Sequence, residues 1–77
     1  MNVKPCYPNL EDAMRRNGIR KKDIADLLGL TRVAVSMKFN GKSEFKIAEA
    51  FKIQKFLGAV SDTEYNFNYL FDKNYKK

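Results

Sequence analysis

At 77 residues the chain has room for one domain, and a domain of that size buries only about 60% of the surface its unfolded form exposes. A single cysteine, Cys6, excludes an internal disulfide, and neither a signal-like apolar core at residues 1–8 nor a run of about 20 apolar residues occurs, so a soluble, cytoplasmic protein is expected. Fifteen Lys and Arg against nine Asp and Glu give a net charge of +6, a field that favours a polyanionic partner, either nucleic acid or an anionic membrane surface.

The first predicted helix begins after Asn9, which can cap it, carries Leu10, Ala13 and Met14 at spacings of three and four, and stops at Asn17-Gly18. Ile19 then returns the chain to the core. A second helix over 21–28 places Ile24, Ala25, Leu27 and Leu28 on a broad apolar face and ends at Gly29, a residue able to adopt the left-handed conformation of a tight turn. Leu30 follows as a buried turn residue. Thr31 caps a third helix through Phe39, whose inner stripe is Val35 and Phe39 with Ala34 partly buried; Asn40-Gly41 terminates it.

Ser43 is the expected cap of a fourth helix running to Leu57. Ile47, Ala50, Phe51, Gln54 and Leu57 form one stripe, widened by Phe45, Ala48, Ile53 and Phe56, and this helix is expected to be the most buried. After Gly58, Ser61-Asp62-Thr63-Glu64 reads as a capping box for a fifth helix with Phe67, Leu70 and Phe71 on one face. Tyr65, Phe67, Tyr69 and Phe71 also alternate strictly, so a short strand stays open there. The tail 73–77 is expected to fray. The fold class is all-α: a compact bundle of about five short helices in one domain over 1–77.

One charge pattern points to function without any comparison. Arg20, Lys21 and Lys22 sit at a helix N-terminus, where each cation is unfavourable by roughly 0.3–1 kcal/mol because the helix dipole is already positive there. The arrangement makes sense if a phosphate docks on the free backbone N–H groups between the three cations. An enzyme is disfavoured: the chain has no His, no metal-ligand cluster and no phosphate-cradling glycine loop, and its one Cys lacks a partner base. Neither a cofactor nor a small-molecule ligand is expected. Membrane binding needs a helix with a basic face behind an apolar one, and the basic residues here cluster at helix starts and loops.

The block from Lys21 to Gly41 resembles the helix-turn-helix of the lambda-repressor and Cro family, with flanking helices extending the likeness over about residues 9–58. A small residue (Ala25), a turn glycine (Gly29), the apolar Leu30, the aliphatic Val35 and a closing Phe39-Asn40-Gly41 fall in that family's order and spacing. The resemblance implies a phage-type transcriptional regulator, expected to be a repressor in a bacterial or phage-infected cell, whose second helix of the unit enters the major groove. By the same resemblance Arg32, Val33, Ser36 and Met37 are the base readers. Arg32 suits guanine O6 and N7, Val33 or Met37 a thymine methyl, and Ser36 a base or a phosphate.

Arg20, Lys21 and Lys22 become one phosphate-contacting group, and Asn40, Lys42 and Ser43, helped by Lys38 and Lys46, become the second. The family usually carries Ser or Thr where Arg20 stands, so the side-chain cap is missing. Neutralising four to six phosphates per subunit implies a slope of log affinity against log salt of about −4 to −5. Double-stranded DNA bound by a homodimer is the implied partner, with 61–77 a candidate dimerisation element against a covering role for its aromatics. The competing class is a protein-interaction module, or an antitoxin-like accessory factor, on the same scaffold.

Overall fold

The computed structural model describes residues 7–72, among which five helices follow one another and no strand occurs: α1 Pro8–Arg16, α2 Lys21–Leu28, α3 Arg32–Phe39, α4 Ile47–Ser61 and α5 Phe67–Leu70. The all-α expectation holds, and the strand alternative at 65–71 is overturned. Residues 73–77, expected to fray, lie outside the described residues.

The start of α1 differs from the sequence reading. Pro8 occupies the first helical turn, where its missing N–H costs nothing and its fixed φ is already helical, so the helix begins ahead of Asn9 with Tyr7 as N-cap. Asn9 is freed from capping, and its Nδ2 donates across the bundle to the carbonyl of Tyr69 at 2.9 Å. Leu10, Ala13 and Met14 are buried, as their spacing predicts, and Asn17 ends the helix.

α2 and α3 have the predicted bounds. Gly29 takes φ 70° and ψ 32°, its N–H donating to Ala25 O, and the N–H of Leu30 donates to the same carbonyl at 2.9 Å. A left-handed residue at that position satisfies the orphan carbonyls of α2 and turns the chain at once into α3. Thr31 Oγ1 accepts from Ala34 N–H at 3.0 Å and caps α3 as predicted, while Val35 and Phe39 are fully buried against Ile24 and Ala25 of the core.

α4 departs most from expectation. It starts at Ile47, because Glu49 Oε1 accepts the N–H of Lys46 at 2.9 Å, and Ser43 is spent in the preceding turn, where its N–H reaches Met37 O. Nor does it stop at Leu57. Gly58 lies inside the helix, where a Cβ would meet the Thr63 carbonyl at 3.3 Å, so this glycine admits the returning chain rather than ending the helix. The left-handed cap is Asp62, at φ 57°. Only Ala50, Ile53 and Leu57 of its fifteen residues are buried, so α4 is not the enclosed helix expected. Ile47 and Phe51, assigned to the inner stripe, are 70% and 49% exposed.

Residues 61–64 do not open a helix as the capping-box pattern suggested. Ser61 is still helical, its Oγ donating to Leu57 O at 2.7 Å, and α5 starts only after Asn66, whose Oδ1 accepts from Tyr69 N–H. The segment between is held by side-chain amides. Gln54 Nε2 donates to Tyr65 O at 2.8 Å and Asn17 Nδ2 to the Tyr65 hydroxyl at 3.1 Å.

The core is closed by rings. Phe39 meets Tyr7 and Phe45 edge to face at 6.4 and 5.4 Å between centroids, and Phe71 meets Tyr7 and Phe45 at 5.8 and 6.0 Å. Leu70 is fully buried and Tyr65, Phe71 and Phe45 pack against the core, so the C-terminal aromatics largely cover its base. Phe39→Ala is expected to cost about 3–5 kcal/mol in urea unfolding, whereas Phe51→Ala, which loses little beyond its stacking on Phe67, should cost only about 1 kcal/mol. Equal losses would contradict this division between core and surface.

Candidate nucleic-acid interface

Positions 32, 33, 36 and 37 recur at one, three and four residues and therefore share one broad face of α3, which adjoins the buried stripe of Val35 and Phe39. Arg32 is exposed, Val33 is 69% exposed, Met37 41%, and Ser36 is half-buried at the edge of that face.

The N-terminus of α2 lies beside this face. Arg20, Lys21, Lys22, Arg32 and Ser36 together line a shallow basin of about 370 Å³. The missing Ser or Thr cap at Arg20 is replaced from the other side: Asp23, three residues on, accepts the Arg20 backbone N–H on Oδ2 at 2.9 Å. That bond fixes the entry of α2 and leaves the first-turn N–H groups of Lys21 and Lys22 outside the intrahelical ladder. Lys21 is tethered as well as charged, its Nζ standing 5.2 Å from the centroid of Phe39. Arg20 and Lys22 are exposed.

Asn40, Lys42 and Ser43 form the exposed turn after α3, with Gly41 at φ 84°. The N–H of Lys42 donates to Met37 O at 2.9 Å, so the turn folds back onto the last turn of α3 rather than leading away from it. Lys46 is exposed on the far side of the same connection.

Lys38 is placed differently from the other basic residues of the group. Its side chain is only 12% exposed, and its ammonium donates to Glu44 O at 3.0 Å, pairs with Glu49 Oε1 at 3.5 Å, and stands 5.7 Å from the Phe45 ring centroid. Glu49 and Asp23 have no place in the sequence-derived site, yet both are acids at the third position of a helix, a capping signal visible in the sequence even without a Ser or Thr cap before it.

Among the described residues no group of His, Cys, Asp and Glu is placed to hold a metal ion, and no helix is long and apolar enough to cross a membrane. The chain matches no curated protein and no solved structure. A family model described as Helix-turn-helix matches residues 10–65, from within α1 to the segment ahead of α5, and so spans both the two-helix unit and the basic basin. With most of its length matched, the chain belongs to the Cro/C1-type helix-turn-helix family of DNA-binding regulators.

Proposed function

We propose that the chain is a sequence-specific double-stranded DNA-binding regulator, a repressor of phage or prophage type acting in the cytoplasm, that reads the major groove with α3. The observation that carries this reading is the basin in which the α2 N-terminus and α3 share one basic surface. A duplex laid there meets phosphate-seeking groups on one side and base-reading groups on the other. Arg20, Lys21 and Lys22 with the free N–H groups of α2 take one phosphate segment. Asn40, Lys42 and Ser43 take another. Between them Arg32 reads guanine, Val33 and Met37 press on thymine methyls, and Ser36 serves a base or the backbone. No cofactor or small-molecule effector enters this scheme, so control rests on protein concentration, self-association or a partner protein.

A helix of eight residues reads too few base pairs for useful specificity, so the active form is a homodimer on an inverted repeat. The surface best suited to a second copy lies on α4 and α5. Ile47 and Phe51 are exposed and Phe51 stacks on Phe67 at 4.7 Å, which makes an apolar ridge. Exposed Lys52 and Lys55 lie along α4, and exposed Glu44, Asp62 and Glu64 lie near its ends, so two copies related by a two-fold axis can set unlike charges together. In this reading the interface lies mainly on α4, with Phe67 of the 61–77 segment beside it.

Two measurements check these assignments. Selection from a random duplex library at near-physiological salt should enrich an inverted repeat with half-sites about one helical turn apart. On the selected duplex Arg32→Ala should cost about 1–3 kcal/mol and relax one base position, whereas Lys21→Ala should weaken selected and random duplexes alike. Equal behaviour of the two variants on both duplexes would defeat Arg32 as a reader. Phe51→Glu should leave a folded monomer in sedimentation equilibrium that binds the full repeat about a hundredfold more weakly while keeping its half-site affinity. A Phe51→Glu chain with unchanged self-association would remove α4 as the interface.

A further inference from the structure

Lys38 and Glu49 come from different helices and meet at a point where three pieces of chain converge. Lys38 belongs to the last turn of α3, its ammonium holds the Glu44 carbonyl of the connecting loop, and Glu49 lies in the first turn of α4. Glu49 is engaged twice, since the same Oε1 that faces Lys38 at 3.5 Å also accepts the N–H of Lys46 at 2.9 Å. Both side chains are largely withdrawn from water, at 12% and 18% exposure, so their attraction is screened far less than that of a surface pair. The start of the loop is held by backbone bonds, Gly41 donating to Lys38 O and Lys42 and Ser43 to Met37 O, and Phe45 packs against the core; the pair with Glu49 ties the loop exit to α4 as well.

We propose that the Lys38–Glu49 pair is a positioning brace: it fixes the loop bearing Asn40, Lys42 and Ser43 relative to the reading face of α3, and Lys38 is not itself a phosphate ligand. The inference deepens the DNA-binding reading and rests on it for its functional consequence. Physically, the reading face and the loop must meet one rigid duplex at once. A loop able to drift by an ångström or two would lose its phosphate whenever α3 is seated. Joining the loop exit to both α3 and α4 removes that freedom before DNA arrives, so the ordering cost is not met on binding.

The brace makes a prediction whose sign differs from that of simple charge. Removing a carboxylate near DNA should strengthen binding, whereas removing half of a brace should weaken it. Glu49→Gln, which retains an oxygen for the Lys46 N–H, and Lys38→Met, which retains the stem over Phe45, should each weaken binding to the selected duplex about three- to tenfold. The double variant should be no weaker than the weaker single variant, and Lys38→Arg should bind nearly as well as the parent chain.

In the free protein, amide exchange at Lys42 and Ser43 should speed up several-fold in both single variants and not in Lys38→Arg, a readout that needs no DNA. Unchanged or tighter binding by Glu49→Gln alongside weaker binding by Lys38→Met would make Lys38 a phosphate ligand and overturn the proposal. Unchanged loop exchange would overturn it by itself, and would do so even if the chain bound no duplex at all.

Discussion

The close crossing of α2 and α3 is the contact on which the rest of the structure depends. Ala25 has only a methyl group to hold the helices apart, Gly29 turns the chain within one residue, and Leu30, Val35 and Phe39 draw α3 down into the core. Because Val35 and Phe39 face inward, Arg32, Val33 and Met37 are left exposed on the rest of the helix surface, with Ser36 at its edge. Phe39 also links this unit to the remainder of the chain through its contacts with Tyr7 and Phe45. A single buried ring thereby fixes the pitch of α3 and closes the bundle.

Electrostatics run against folding at one place and with it at the others. Three cations crowd the positive end of α2, where only the Asp23 carboxylate offsets them, so the domain carries a local cost that a bound anion would remove. Elsewhere some of the charges are paired. Asp12 receives both Arg15 and Arg16 on exposed α1, pairs that contribute little to stability, and Glu49 receives Lys38 under partial cover. Arg20, Lys21, Lys22 and Arg32 gather around one basin beside α3, and this local concentration of cations gives the surface its direction.

Much of this was legible in the sequence where a local rule had no competitor. Gly29 as a left-handed terminator and Thr31 as a cap gave α2 and α3 their observed bounds, and the Val35 and Phe39 stripe had only one phase. The rules failed where two applied at once. Asn9 is a good cap, but Pro8 prefers the first turn and took precedence. Ser43 is a better cap than Lys46, yet Glu49 reaches back to the Lys46 N–H and moves the start of α4 by several residues.

Along α4 apolar residues fall on more than one face, so periodicity could not choose between the face with Ile53 and the face with Ile47 and Phe51. Tertiary packing chose the first. Of the candidate site, the outward position of Arg32, Val33 and Met37 followed from the Val35 and Phe39 stripe of α3, but the withdrawal of Lys38 into an ion pair did not. It depends on Glu44, Phe45 and Glu49 meeting across a turn.

The central claim is that one face, built from the α2 start, α3 and the turn after it, meets the duplex. It is tested most directly by titrating isotopically labelled protein with a short duplex and following backbone amide resonances. The account predicts the largest changes at 20–22, 31–37 and 40–43, with Ile53 and Leu57 of the core unmoved. Changes concentrated on 47–51 and 67–71, or none at any DNA concentration, would contradict it.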